Sequence, residues 1–272
     1  MKESSTRGRT AHPSCAPGEP PIRHLQCPDG TAVAYRLAPA AAGRPDPGVV
    51  FLGGFSSDMT GTKATALAEC CAQRQQACLR FDYSGHGRST GALRDGTIGR
   101  WTEDALAVID AVTQGPQILV GSSMGGWIML LVALARPDRV AGLVGIAAAP
   151  DFTEDLMWAA MPPELRERLR RDGVIRRPSR YDEAPHEITW KLIEEGRAHL
   201  LLRAPIAIRC PVRLLHGTAD PDVPWQVPRR LLERLASDDA TLTLIKDGDH
   251  RLSRPADIER IFAAVTELSA RA

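Results

Sequence analysis

The sequence predicts an α/β fold: a mostly parallel, doubly wound sheet that opens with an antiparallel hairpin and carries a helical lid insertion before its last strands. Three observations carry this. Short apolar runs at residues 48–52, 77–81, 118–120, 141–147 and 212–215 alternate with longer stretches of helical periodicity. Most of these runs end at glycine or a turn sequence, as strands buried on both faces of a parallel sheet do. The alternation breaks once, over residues 151–209, where Pro162-Pro163, Pro178 and Pro185 separate helix-like pieces holding Met157, Trp158, Met161, Trp190 and Leu192.

Composition bounds the function. A chain of 272 residues can bury one full core and an insertion. Lys+Arg 34 against Asp+Glu 33 leaves a net charge of +1, so there is no electrostatic case for nucleic acid or an anionic membrane. Arginines at 166–171 and 176–177 are interleaved with Glu167 and Asp172 and read as a solvated helical face. The six cysteines show neither a C-x-x-C pair nor zinc spacing, and a chain this long needs no disulfide staples; a reducing, cytoplasmic setting is expected. No apolar run approaches the roughly 18–20 residues of a membrane span, so stable membrane insertion is not expected. Residues 1–21, rich in Ser, Arg, Pro and Gly, read as a disordered tail, followed by the first part of the core at 22–150, the lid at 151–209 and the second part of the core at 210–272.

The elements follow in order. Cys27-Pro28-Asp29-Gly30 is a turn, and the alternation from Thr31 onward makes residues 22–37 a hairpin. The buried strand at 48–52 ends in Gly53-Gly54-Phe55. The loop after such a strand lies on the carboxyl edge of the sheet, where ligands bind. The Phe55 N–H is therefore a candidate oxyanion donor, against the alternative of a plain glycine turn. A helix at 63–76 and a strand at 77–81 lead into Asp82-Tyr83-Ser84-Gly85-His86-Gly87-Arg88-Ser89, which lacks the lysine and hydroxyl of a phosphate loop and is expected to shape the floor of a site. His86 reads as a loop residue, and Asp82 precedes the nucleophile in chain order, which counts against it as a catalytic acid. Residues 100–112 form an amphipathic helix around Trp101, Leu106, Val108 and Ile109.

The chain is organised around Ile118-Leu119-Val120-Gly121-Ser122-Ser123-Met124-Gly125. The last five residues fit G-x-S-x-G between a buried strand and an apolar helix at 127–134. In a nucleophile elbow Ser123 presents its hydroxyl at the sheet edge, Ser122 is one residue out of register, and the Met124 N–H at the helix start faces a developing oxyanion. The alternative is an ordinary glycine-rich strand-to-helix turn. Asp220 follows the strand at 212–215, and His250 follows a last strand at 241–245; a helix at 226–235 separates them and an amphipathic helix at 258–268 closes the chain. Serine needs a base, and the base needs a carboxylate to orient it; Ser123, Asp220 and His250 supply these roles from loops on one sheet edge. Asp222 and Asp151 are the other claimants for the acid, and His216, before the acid, reads as structural. No metal or organic cofactor is implied. The lid's Met and Trp residues either line an acyl pocket or pack the lid against the body.

On Gly61-Thr62-Lys63-Ala64, Arg80-Phe81-Asp82-Tyr83-Ser84-Gly85, Gly115-Pro116-Gln117 through Ser123, Arg213-Leu214-Leu215-His216-Gly217 and Asp249-His250-Arg251, the chain resembles the α/β-hydrolases, and within them the palmitoyl-protein thioesterases that also cleave mycophenolic acid acyl-glucuronide. The resemblance runs from about Val49 to the C-terminus and is least in the lid. It implies Ser123, Asp220 and His250 as the triad, S-acyl thioesters and activated carboxylic esters as substrates, and a mitochondrial location as the alternative to the cytoplasm. The partner expected is a small-molecule or acylated-protein substrate. A carboxylesterase or peptidase acting on small soluble substrates, and a non-catalytic binding protein on the same scaffold, are the competing expectations.

Overall fold

The computed structural model describes residues 18–41, 47–177 and 185–271. Most of the expected tail, and Pro178, lie outside them. The chain opens with β1 (Arg23–Gln26) and β2 (Ala32–Ala38), paired antiparallel across the expected turn. Then come β3 (Gly48–Leu52), α1 (Thr62–Gln73), β4 (Cys78–Phe81), α2 (Ile98–Val112), β5 (Gln117–Ser122), α3 (Met124–Ala135) and β6 (Val140–Ile146), in the expected alternation. An insertion holds a π-helical turn (Thr153–Trp158), α4 (Pro163–Asp172), β7 (Val174–Arg177), β8 (His186–Thr189) and α5 (Trp190–Gly196). The core resumes with β9 (Val212–Gly217), α6 (Gln226–Arg234), β10 (Ala240–Ile245) and α7 (Pro255–Ser269).

The sheet has eight strands in the order β1-β2-β4-β3-β5-β6-β9-β10. Every pair from β4 to β10 is parallel, and β2 is antiparallel to both its neighbours. Alternation along each strand sends side chains to two cores. Val50, Leu52, Leu119 and Leu143 face α2, α3 and α6, whereas Val49, Phe51, Ile118, Val120, Val144 and Ile146 face α1 and α7. Because both faces are covered, β3 and β5 are buried at every position, which is why they read as continuous apolar runs. Helix α3 is buried nearly all round, with Trp127 fully enclosed and its Nε1 donating to His199 O at 3.1 Å. The chain leaves β3 for β4 on one side and returns to β5 on the other, so the crevice at the carboxyl ends of β3 and β5 is the topological switch point.

The insertion departs from the helical expectation. Alongside its helices it contains an antiparallel pair, β7 with β8, in register Ile175 with Ile188. Its strands are only four residues each, too short for a period of two to stand out, and α4 ends at Gly173 with φ 76°, which sets the direction of β7. Trp158, Met161, Leu169, Ile175, Ile188 and Ile193 make a small core of the insertion's own, against which Trp190 packs. Asp151 clasps its two ends together: the buried carboxylate accepts from the N–H groups of Leu201 (2.8 Å) and Leu202 (2.9 Å) and from Arg203 Nη1 (3.0 Å). Glu195 on α5 reaches the first turn of α2, accepting from the Gly99 N–H at 3.0 Å, and so satisfies one of that helix's open amides.

Candidate active site

Ser123 sits between β5 and α3 at φ 55° and ψ −118°, a conformation an L-residue holds only when its surroundings enforce it. The enforcement is visible. Its N–H donates to Ile146 O (2.9 Å), and its carbonyl accepts from the N–H groups of Gly126 (2.9 Å) and Ala149 (3.1 Å). Packing fixes the two motif glycines: a Cβ on Gly121 would lie 2.4 Å from Gly125 O, and one on Gly125 would lie 2.1 Å from Leu52 O.

His250 Nε2 lies 2.9 Å from Ser123 Oγ and its Nδ1 lies 2.8 Å from Asp220 Oδ2. The hydrogen bond goes to Ser123, as the register of the motif requires, and not to Ser122. The Asp220 side chain is fully buried, and its other oxygen accepts from the N–H groups of Asp222 (2.8 Å) and Val223 (2.9 Å). Burial alone would raise its pKa, but the hydrogen bond and charge of His250, together with those two amides, outweigh it and hold the carboxyl below its ordinary value. Because β9 and β10 are parallel neighbours, their loops leave the sheet side by side. Ala219 N–H donates to Gly248 O (3.0 Å) and Asp247 N–H to Thr218 Oγ1 (2.9 Å), which stitches the acid loop to the histidine loop.

Of the rival acids, Asp222 lines the same cavity, with its N–H donating to Asp220 Oδ1, while Asp151 and Asp82 are engaged elsewhere. Asp151 holds the insertion, and Asp82 accepts from the N–H groups of Met59 and Arg88, both at 2.7 Å, while burial raises its pKa. His216, which reads as structural from sequence, is fully buried directly behind the acid. Its Nε2 donates to Val223 O at 2.8 Å and stands 3.5 Å from Asp220 Oδ2, and burial lowers its pKa.

Phe55 lies opposite the elbow. A Cβ on Gly54 would stand 3.4 Å from Ser123 Cβ, so this loop passes close to the serine. The backbone N–H groups of Phe55 and Met124 form no hydrogen bonds among the described residues, and both residues line the cavity that holds Ser123 and His250. That cavity is about 830 Å³. Phe152, Leu156 and Met157 from the start of the insertion give it an apolar wall, while Lys63, Arg177 and Arg251 bring positive charge to it. The insertion's Met and Trp residues divide accordingly: Met157 lines the cavity, whereas Trp158, Met161 and Trp190 pack within the insertion. Among the described residues, Asp220, Asp222 and His250 bring one ligand-type atom each within 4.8 Å of one another. A cation there would have to break the Asp220–His250 hydrogen bond, so the donor set fits proton transfer better than metal binding.

Sequence reasoning missed His86. Its ring lies beneath the Phe55 loop, with Nε2 3.2 Å from the Ser56 N and Nδ1 3.2 Å from Ser84 O. The sequence signal was limited to its place in a glycine-rich loop after a strand adjacent to β3.

Residues 47–186 match the family model described as alpha/beta hydrolase fold. The human protein named palmitoyl-protein thioesterase ABHD10, mitochondrial, is 40% identical over 248 residues, covering 91% of this chain and 79% of that protein. Its mouse counterpart is 44% identical over 223 residues, covering 82% and 75%. Among solved structures, a putative hydrolase from Agrobacterium vitis S4 superposes with a TM-score of 0.87 at 43% identity, covering 92% of this chain and 99% of that one. Mouse alpha/beta hydrolase domain-containing protein 10 gives 0.85 at 40%, with the same coverage. These relatives are named as mitochondrial, so the cytoplasmic expectation finds no support among them. A switch-point elbow, a sheet of this order and similarity across nine-tenths of its length establish that this chain is a hydrolase belonging to the α/β-hydrolase family.

Proposed function

We propose that the protein is a serine acyl hydrolase that cleaves S-acyl thioesters through an acyl-enzyme on Ser123. The observation that carries this is the unbroken run of hydrogen bonds Ser123 Oγ, His250 Nε2, His250 Nδ1, Asp220 Oδ2, at 2.9 and 2.8 Å. Ser123 Oγ attacks the carbonyl carbon while His250 Nε2 takes its proton, and Asp220 stabilises the resulting imidazolium. The N–H groups of Phe55 and Met124 receive the oxyanion. Collapse breaks the carbonyl–sulfur bond, and His250 returns the proton to the departing thiolate. Water, deprotonated by His250, then attacks the ester, releasing the carboxylic acid and restoring Ser123. No step draws on a cofactor.

The apolar wall of Phe152, Leu156 and Met157 suits a long acyl chain, and the names of the relatives point to palmitoyl groups on proteins. A second reading is favoured by Lys63, Arg177 and Arg251 at the same cavity: activated carboxylic esters whose leaving group is anionic, acyl glucuronides among them. Residues 151–209 act as the lid in either case. For the compartment, the relatives' names favour the mitochondrial alternative. The test of substrate class is steady-state hydrolysis of matched acyl thioesters and oxyesters from short to long chains. Preference for long acyl thioesters supports the first reading; preference for short oxyesters moves the function to a small-molecule esterase with the same triad.

A further inference from the structure

His86 has no role in the acyl transfer described above, yet it is built into the loop that carries the Phe55 amide. The Ser57 N–H donates to Gly54 O at 3.2 Å, closing a tight turn with Phe55 and Ser56 at its centre. Ser56 takes φ 59°, a left-handed value that a non-glycine residue keeps only under restraint. The restraint is the hydrogen bond from the Ser56 N–H to His86 Nε2 at 3.2 Å. His86 Nδ1 lies 3.2 Å from Ser84 O, and since a carbonyl can only accept, Nδ1 carries the hydrogen and Nε2 offers its lone pair. One neutral tautomer satisfies both contacts. The ring is buried and met edge-on by Trp101, Tyr83 and Phe55 at centroid distances of 5.2, 5.6 and 6.4 Å. Burial pushes its pKa down to about 4, so it stays neutral at ordinary pH.

A turn of this kind has a twin in which the central peptide is rotated by about half a turn and the third residue returns to negative φ. In that twin the Phe55 carbonyl, not the Ser56 N–H, would face His86 Nε2, and two acceptors would meet. We infer that His86 is a positioning residue for acyl transfer: its Nε2 lone pair anchors the Ser56 N–H, and with it the turn from Gly54 to Ser57, so that the Gly54–Phe55 peptide, which carries the Phe55 N–H, keeps its place beside Ser123. This rests on the reading that Ser123 is the nucleophile and Phe55 an oxyanion donor. Such a donor works only within a few tenths of an ångström of its place, so a turn that has lost its anchor at Ser56 and can shift loses part of what the donor contributes.

The test compares the full chain with His86→Phe, which keeps a ring but no acceptor, His86→Gln, whose Oε1 can accept from Ser56, and Ser123→Ala. Steady-state hydrolysis of an acyl thioester is measured with the thermal midpoint of each protein. His86→Phe is expected to lower kcat about 10- to 100-fold with KM within about threefold, a part of the ~100- to 1,000-fold that losing a whole donor costs. His86→Gln is expected to recover most of that loss. A folded His86→Phe with kcat within about twofold of the parent, or a Gln variant as slow as the Phe variant, overturns the inference. Nitrogen NMR of the parent protein gives a readout independent of how the variants fold, with the His86 signals identified by their loss in His86→Gln: a hydrogen on Nδ1 supports the inference and one on Nε2 overturns it. If Ser123→Ala removes turnover and His86→Phe does not change it, the positioning role alone fails; if Ser123→Ala keeps turnover, the acyl-transfer reading fails and takes this inference with it.

Discussion

Asp220 Oδ2 accepts from His250 Nδ1 at 2.8 Å while Asp220 Oδ1 is held by two backbone amides, so the acid cannot turn without giving up three hydrogen bonds. Its direction is set by the loop, and the tautomer of His250 by its direction. Asp220→Asn keeps an acceptor for the amides but can present N–H to His250 Nδ1, which reverses the tautomer and leaves Nε2 unable to accept from Ser123. The expected loss in kcat/KM is about 1,000- to 10,000-fold, with a thermal midpoint near that of the parent. Asp222→Asn, the rival position, is expected to stay within about threefold.

Stability should fall on mild acidification because of a buried histidine. The folded pKa of His86 is about 4, below the unfolded value near 6.5, so the unfolded chain binds the extra proton first. The contribution is therefore complete above about pH 6.5 and is lost as pH falls toward 4. His86 alone should remove about 2 kcal/mol between pH 7 and pH 5. His216, whose pKa is also lowered by burial, acts in the same direction. Urea unfolding at both pH values checks this, and His86→Gln should show a shallower dependence than the parent.

Asp151 joins the start of the insertion to residues 201–203 through three hydrogen bonds. Asp151→Ala leaves the Leu201 and Leu202 amides without their acceptor and Arg203 with Asp155 alone, at an expected cost of about 2–4 kcal/mol in urea unfolding. A change under 1 kcal/mol would show that the clasp is dispensable.

Met157 is the insertion's flexible apolar residue on the cavity wall. Met157→Trp fills that volume, so KM for long acyl thioesters is expected to rise about tenfold or more, with short chains nearly unaffected. Equal effects at all chain lengths would place the acyl group elsewhere.

The sheet was legible because both of its faces are covered: strands such as β3 and β5 become unbroken apolar runs, and Gly121 and Gly125 punctuate the elbow where backbone approaches backbone. Convergence of Ser123, Asp220 and His250 was legible for the same reason, since parallel strands bring their following loops to one edge. The β7–β8 pair was not, because four-residue strands beside Gly173 carry too little periodicity to compete with the surrounding helical signal. The work of His86, His216 and Asp151 was also hidden. Each acts through backbone amides or carbonyls of residues distant in the chain or across a turn, and a backbone group leaves no mark in sequence.

Ser123 as carrier of the acyl group has a direct consequence for turnover. Hydrolysis of a long-chain acyl thioester by the parent and by Ser123→Ala, at equal protein concentration and with the variant's thermal midpoint verified, tests it most directly. The variant is expected to lose turnover by at least about 10,000-fold, toward the residual rate left by binding and the oxyanion amides alone. Turnover within about tenfold of the parent would contradict it.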